Sequence, residues 1–244
     1  MNRILLTLVF LSIASCALFA PQQPVVEILD ANKIATSSGT VQGQSTRSSG
    51  DASSSLGVVN WLDIPYAQPP VGDLRWRAPL ALQTPGALIQ TKGDIACVQP
   101  ATEYGGVTAD NAQAVVGTED CLYLDITAPR DFASGDYPVM FWIHGGGNTT
   151  GSKNYYDFTE LVASQKVIVV TFNYRLGALG WFTHPAIQGM QDGLDGASNF
   201  GTLDIIQALR WVQDNISQFG GNKDNVTIFG ESAGGHNVYS LLAS

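Results

Sequence analysis

The stretch NVTIFGESAGGHNVYSLL, residues 225–242, decides the fold of this chain. A short apolar run comes first, a Gly-Glu-Ser-Ala-Gly turn follows at 230–234, and a run with helical apolar spacing comes last. A strand, a sharp turn and a helix form the arrangement in which a G-x-S-x-G motif exposes a nucleophilic serine. Strained backbone would lift the Ser232 hydroxyl clear of the sheet, and Gly230 and Gly234 would prevent collisions across the turn. The motif alone also occurs in ordinary Gly-rich turns, so the flanking strand and helix carry the prediction.

Upstream of this stretch, apolar runs alternate with a long amphipathic segment. The predicted strands are Leu122–Ile126, Val139–Ile143, Val167–Phe172 and Val226–Phe229. These runs are continuous rather than alternating, as is typical of strands buried on both faces of a parallel sheet. Apolar spacing of three and four predicts a helix from Leu203 to Phe219, with Asp204 in its first turn near the positive end of the helix dipole. Its apolar stripe comprises Leu203, Ile206, Leu209, Val212, Ile216 and Phe219. Alternating strands and helices predict an α/β fold.

A second glycine-rich segment lies at the end of one predicted strand. The run 137–143 leads into His144-Gly145-Gly146-Gly147, a pattern that supplies backbone N–H donors to an oxyanion hole. A flexible turn is the alternative. A phosphate cradle is disfavoured because no G-K-[ST] follows. Residues 36–57 are rich in Ser, Gly and Thr, which predicts a linker or a short hairpin.

Composition excludes several function classes. The 244 residues carry a formal net charge of −9, are 45% hydrophobic and 14% charged. This balance argues against nucleic-acid binding and against a polybasic membrane surface, which both need excess positive charge. The hydrophobic content also argues against a disordered chain.

The first residues predict export. A positive start at Arg3 precedes an apolar run that is too short to serve as a membrane anchor. The run ends in Ile13-Ala14-Ser15-Cys16, which resembles a bacterial lipobox. We therefore predict a signal peptide over 1–15, lipid on Cys16, a tether over 16–29, and a periplasmic or outer-membrane-anchored lipoprotein. The alternative is an ordinary secretory signal and a secreted protein. Either route allows disulfides to form.

Four blocks together resemble the type-B carboxylesterase family, which includes the cholinesterases, within the α/β-hydrolase superfamily. They are 64–72 (IPYAQPPVG), 119–126 (EDCLYLDI), 173–177 (NYRLG), and 219–234, which contains the serine motif. The resemblance covers residues 30–244. It implies an α/β-hydrolase domain with a mostly parallel central sheet and N-terminal antiparallel strands, truncated before the C-terminal half. It implies no metal and no cofactor.

The same resemblance implies roles for individual residues. Ser232 would form the acyl-enzyme in a serine carboxylic-ester hydrolase that acts on small-molecule esters. Gly146, Gly147 and Ala233 would provide the oxyanion-hole N–H groups. Cys97 and Cys121 would form a disulfide. Two features depart from the family: residues 98–120 contain no Trp, which disfavours choline recognition through cation–π contact, and Asn148 stands where an aromatic residue is common.

A base and an acid for Ser232 are not evident. On this fold they follow the serine in chain order, and only twelve residues follow Ser232. We therefore expect an incomplete, inactive fragment whose acid and histidine lie beyond Ser244. His144 is expected to support the oxyanion loop, and His236 is disfavoured as a base because its helix descends from the turn. The alternatives are a non-catalytic binding protein on the same fold and a genuine short protein. The sequence does not predict the oligomeric state.

Overall fold

The computed structural model describes residues 25–47, 57–102, 114–189 and 191–244. The predicted signal peptide, Cys16 and the tether up to residue 24 lie outside these ranges. A strand begins at Val25, so regular structure starts inside the segment that was predicted as a tether. It pairs with the next strand through a turn at 37–38. Of the two interpretations of residues 36–57, the hairpin therefore holds for 36–47.

A seven-stranded mixed sheet forms the centre of the described structure. The described strands are β1 Val25–Thr36, β2 Gly39–Arg47, β3 Val58–Pro65, β4 Gln99–Pro100, β5 Val115–Val116, β6 Tyr123–Pro129, β7 Tyr137–Ile143, β8 Ile168–Phe172 and β9 Gly221–Gly230. The sheet order is β1-β2-β3-β6-β8-β7-β9, and β4 pairs only with β5. Neighbours are antiparallel from β1 to β8, whereas β7 is parallel to both β8 and β9. The predicted α/β class is confirmed.

Strand β6 shows that a continuous apolar run indicates burial and not the direction of strand pairing. The run Leu122–Ile126 was grouped with the parallel strands, yet β6 is antiparallel to both β3 and β8. Leu124 and Ile126 are nevertheless fully buried. The composition of this strand therefore reflects burial in the middle of the sheet, and it does not distinguish parallel from antiparallel pairing.

Helices cover both faces of the sheet. They are α1 Thr159–Gln165, α2 Gly177–Gly180, α3 Pro185–Gln188, α4 Phe200–Asn215 and α5 Ala233–Leu242. Helix α4 contributes Trp211 and Val212 to the main core. Helix α1 contributes Val162 to a smaller core that includes Val58 and Val169. Apolar residues are thus removed from water on both sides of the central strands, which is the main stabilising contribution in such a layered fold.

The predicted apolar stripe of α4 is correct in its second half, where Val212, Ile216 and Phe219 are fully buried, and wrong in its first half. Leu203, Ile206 and Leu209 are only half-buried, whereas the neighbouring positions Asp204 and Ile205 are fully buried. The helix also starts at Phe200 and ends at Asn215, with a 3-10 turn over Ile216–Phe219. Hydropathy misassigned the first half of the stripe because Asp204 and Gln207 point inward, where each has a hydrogen-bonding partner.

Candidate active site

The Gly-Glu-Ser-Ala-Gly segment forms the predicted sharp turn. Strand β9 ends at Gly230, helix α5 begins at Ala233, and Ser232 between them has φ +54° and ψ −121°. A non-glycine residue rarely adopts positive φ, and such strain often marks functional sites. Ser232 is exposed, as a nucleophile must be. The turn therefore presents the serine at the end of a strand.

Both glycines of the motif are required by close packing. A Cβ on Gly230 would lie 2.5 Å from the carbonyl carbon of Gly234. A Cβ on Gly234 would lie 2.0 Å from the carbonyl oxygen of Ile143. Any side chain at either position would push α5 away from the ends of β7 and β9. The sequence anticipated a collision across the turn, and the structure adds this second collision with β7.

The loop over residues 144–151, called the oxyanion loop below, follows β7 and lies beside Ser232. A Cβ on Gly145 would be 3.1 Å from Ser232 Cβ. Gly146 and Gly147 have φ of +87° and +63°, a region that glycine enters without steric penalty. No described residue accepts a hydrogen bond from the backbone N–H of Gly146, Gly147 or Ala233. The structure thus leaves three N–H donors unused: one directly after Ser232 and two in the loop whose Gly145 packs against Ser232.

A side chain that the sequence did not single out holds the far end of the oxyanion loop. Gln99 donates from Nε2 to the Gly151 carbonyl oxygen at 2.8 Å and accepts from the Gly151 N–H at 2.8 Å. Gln99 is buried and lies two residues after Cys97, which forms a disulfide with Cys121. Its nearness to Cys97 was the only signal in the sequence. The disulfide segment and the oxyanion loop are therefore directly linked.

His144 sits inside the protein as a neutral ring. Its side chain is buried, stacks on Tyr174 with ring centroids 4.3 Å apart, and its Nδ1 lies 3.0 Å from the Gly145 carbonyl oxygen. Burial lowers its pKa from 6.5 to about 4. A ring in this position supports the loop from beneath. Its Nε2 has no hydrogen-bonding partner among the described residues.

No general base contacts Ser232 in the described part of the chain. His236 is exposed on α5, and its backbone N–H donates to the Ser232 carbonyl oxygen at 3.2 Å as part of the helix. His184 caps α3 by accepting from the Ala186 N–H. Glu231 is exposed. Among the described residues, none forms a hydrogen bond with the Ser232 hydroxyl, so the described part of the fold gives this serine no side-chain partner.

Three buried ion pairs, one at Arg175 and two at Lys153, lie near the site. Asp204 binds Arg175 through Nε at 2.8 Å and Nη2 at 2.7 Å. Lys153 Nζ lies 2.7 Å from Asp125 Oδ2 and 3.0 Å from Asp63 Oδ1. Burial raises the pKa of Asp125, and the Lys153 ammonium opposes that effect. Arg175 directly follows Tyr174, whose ring stacks on His144, and Lys153 lies two residues after the end of the oxyanion loop. The ion pairs therefore fix both segments to α4 and to the sheet.

The described residues offer no metal site and no membrane span. No group of His, Cys, Asp or Glu among them could hold a metal ion. No helix in the described ranges has the length and apolarity needed to cross a bilayer. A cavity of about 330 Å³ opens beside Lys153, but neither Ser232 nor the oxyanion-loop glycines line it.

Comparison with known proteins assigns the family. The model of the carboxylesterase family matches residues 30–244. Fumonisin B1 esterase of Sphingopyxis macrogoltabida is 43% identical over 212 residues, which are 86% of this chain and 36% of that protein. Para-nitrobenzyl esterase of Bacillus subtilis is 44% identical over 190 residues, which are 77% of this chain and 37% of that protein. A solved PNB esterase structure, 38% identical, superposes with a TM-score of 0.71 over 87% of this chain and 41% of its own.

The chain spans between 36% and 41% of the length of these relatives. The predicted resemblance is confirmed, and with it the α/β-hydrolase type of fold. From the family match, the identities and the superposition together, we conclude that the chain belongs to the carboxylesterase family.

Proposed function

We propose that the protein to which these residues belong hydrolyses carboxylic esters through an acyl-enzyme on Ser232. One observation carries the proposal: Ser232 is exposed at a strained turn, next in the chain to one backbone N–H without a described acceptor and packed against a glycine loop that holds two more. These groups belong to Gly146, Gly147 and Ala233. Membership of the carboxylesterase family supports the same reaction.

The reaction follows from these positions. Ser232 Oγ attacks the ester carbonyl carbon while its proton passes to a general base, and the carbonyl electron pair moves onto oxygen. The N–H groups of Gly146, Gly147 and Ala233 donate to that oxyanion, and each such donor lowers the barrier by about 3–4 kcal/mol. The C–O bond to the alcohol then breaks, and the alcohol leaves with the proton from the base. Water repeats the sequence on the acyl-serine and releases the acid.

We assign the base and its orienting acid to residues that follow Ser244 in the whole protein. The described histidines support this assignment, because His144 is buried beneath the loop and His236 makes no hydrogen bond to the serine hydroxyl. The proposal therefore concerns the whole protein. Its substrate would be a small-molecule carboxylic ester, in keeping with the esterase names of the relatives.

Covalent labelling of the whole protein tests the proposal. A fluorophosphonate probe reacts with a serine only when that serine is activated. We expect labelling of the wild type, none of Ser232→Ala, and full labelling of Ser240→Ala. Ser240 is the matched control because it is an exposed serine on the same helix.

The other outcomes are equally informative. A folded wild type that does not label would refute the esterase and favour a non-catalytic binding protein on the same fold. Labelling of the 244-residue chain by itself would refute the assignment of the base to residues outside it, and His236→Ala would then be the first variant to examine.

We also propose that the protein is exported and carries lipid on Cys16. The support is the apolar run that ends in Ile13-Ala14-Ser15-Cys16. Metabolic labelling with an alkyne fatty acid tests it: Cys16→Ala should lose the label, and a variant lacking Cys97 and Cys121 should keep it. Export of an unlabelled wild type would refute lipidation and leave an ordinary secretory signal.

A further inference from the structure

Asn148 links the oxyanion loop to the helix that carries Ser232 at its start. Its Oδ1 accepts a hydrogen bond from Asn237 Nδ2 at 2.9 Å. Asn237 lies on α5, five residues after Ser232, and is only 4% exposed. A buried side-chain amide needs a hydrogen-bonding partner, and Asn148 supplies it. The amide pair thus spans the two chain segments that provide the three N–H donors.

Tyr174 extends this contact to a third segment. Its hydroxyl donates to the His144 carbonyl oxygen at 2.7 Å and lies 3.4 Å from Asn148 Oδ1. Burial raises the pKa of Tyr174, so the hydroxyl stays protonated. The Asn148 carbonyl oxygen also accepts from the Gly177 N–H at 2.7 Å. Asn148 is therefore held through both its side chain and its backbone.

The two ends of the Gly145–Gly147 run are held in different ways. At Gly145 the backbone packs closely, since an added Cβ would lie 2.6 Å from Glu231 Oε2. At Gly147, which is exposed, the nearest atom to an added Cβ is Thr149 Oγ1 at 3.6 Å. Close packing does not fix the Gly147 end. Hydrogen bonds hold it instead: the Gly146 carbonyl oxygen accepts from Thr149 and Thr150 within the loop, and Asn148 is the residue that ties this end to α5.

Asn148 is suited to that task by its backbone as well as by its side chain. Its φ is +57°, a conformation that asparagine tolerates better than most non-glycine residues. An apolar residue at this position would offer no acceptor comparable to Oδ1. The asparagine therefore gives this chain a hydrogen bond between the loop and the helix.

We propose that Asn148 and Asn237 are positioning residues for the oxyanion hole. Their hydrogen bond holds the Gly147 N–H in the orientation that, with the Ala233 N–H, meets the developing oxyanion. The inference rests on the proposed esterase function and adds two residues to it. Neither residue touches the reacting atoms; both act through the placement of the donors.

The proposal can be tested by steady-state kinetics of the whole protein with a p-nitrophenyl ester as substrate. The variants are Asn148→Gly, Asn237→Ala and the double variant. Asn148→Gly removes the amide but keeps a residue that accepts positive φ. We expect each single variant to lower kcat roughly tenfold, less than the loss of a whole donor, with KM within about twofold. The kcat of the double variant should also fall roughly tenfold, because both changes break the same Asn148–Asn237 hydrogen bond. Ser240→Ala is the control.

A trifluoromethyl ketone, which forms a tetrahedral oxyanion on the serine, gives a readout that general destabilisation would not move. Its inhibition constant should rise in the same ratio as kcat falls. Unchanged kcat in Asn148→Gly, losses that multiply to roughly a hundredfold, or a raised KM at constant kcat would each overturn the proposal. Circular dichroism verifies folding, and Asn148→Gly carries the test alone where Asn237→Ala does not fold.

The fluorophosphonate experiment distinguishes failure of this inference from failure of the proposed esterase function. A wild type that neither labels nor turns over ester refutes both. A wild type that labels and turns over, beside an Asn148→Gly variant with the same kcat, refutes only the positioning role.

Discussion

Replacement of Asp204 by Asn should destabilise the protein more than any exposed charge change in the described part of the chain. Asp204 is fully buried and binds Arg175 through two side-chain contacts of 2.7 and 2.8 Å. Its Oδ2 also accepts from the Arg175 backbone N–H at 3.0 Å. An amide can accept at one position only and would turn an NH2 group toward the guanidinium.

The structure sets the size of the effect. Arg175 is almost fully buried, and its Nη1 already lacks a partner among the described residues. Removing its carboxylate would leave a charged group in the interior without compensation. Breaking a buried pair in this way costs about 3–5 kcal/mol. We expect the free energy of unfolding of Asp204→Asn to fall by that amount.

Urea denaturation of the whole protein measures the loss, and an exposed pair supplies the control. Asp131 and Lys166 are 3.0 Å apart, with side chains 54% and 56% exposed. Exposed pairs of this kind contribute about 0.2–1 kcal/mol. Asp131→Asn should therefore change the unfolding free energy by no more than about 1 kcal/mol.

Two results would refute the reasoning. One is a loss in Asp204→Asn no greater than that in Asp131→Asn. The other comes from the combined variant Arg175→Met with Asp204→Leu, which removes both charges. That variant should be more stable than Asp204→Asn alone, because replacing a buried pair with apolar groups leaves no unpaired charge. If it is less stable, the desolvation argument is wrong.

Three further predictions concern the site. Burial holds the pKa of His144 at about 4 instead of 6.5. As the pH falls, this imidazole therefore takes up a proton in the unfolded chain before it does so in the folded protein. Between pH 7 and 4 the free energy of unfolding of the wild type should therefore fall by about 3 kcal/mol more than that of His144→Gln. Equal losses by urea denaturation would contradict this. Gln99→Leu should cost about 1–3 kcal/mol for each Gly151 backbone group left without its bond, and an unchanged urea midpoint would count against it. Gly234→Ala should abolish fluorophosphonate labelling, whereas Gly235→Ala, whose Cβ has nothing nearer than 3.5 Å, should keep it; labelling of both would contradict the packing argument.

The local parts of the fold could be predicted from the sequence. The runs at 139–143 and 226–229 lie inside β7 and β9, and the helix after Ser232 starts at Ala233 as its spacing suggested. These elements depend on local periodicity and turn residues, which neighbouring positions in the chain record directly. The class of fold follows from their alternation.

The contacts between distant segments could not be predicted in the same way. Asp204 was interpreted as a helix-dipole residue, whereas it binds Arg175, 29 positions away. A charged residue on an amphipathic helix is usually exposed, so hydropathy assigned the wrong face to the first half of α4. Asn237 gave a weak signal in the sequence. It lies four residues after Ala233 and so on the same face of α5, where an apolar residue would be expected.

Gln99 and Asn237, which the sequence did not single out, share a physical property with Asn148, which it noted only as a departure from the family. Gln99, Asn148 and Asn237 all use side-chain amides to join segments far apart in the chain. A side-chain amide carries both a donor and an acceptor. It can therefore form hydrogen bonds with backbone groups or with another amide without adding charge near an oxyanion. Glycines give the oxyanion loop its bare N–H groups but no side chains with which to hold it. The positional accuracy of the donors must therefore come from polar residues outside the glycine run, and such residues leave almost no periodic trace in the sequence.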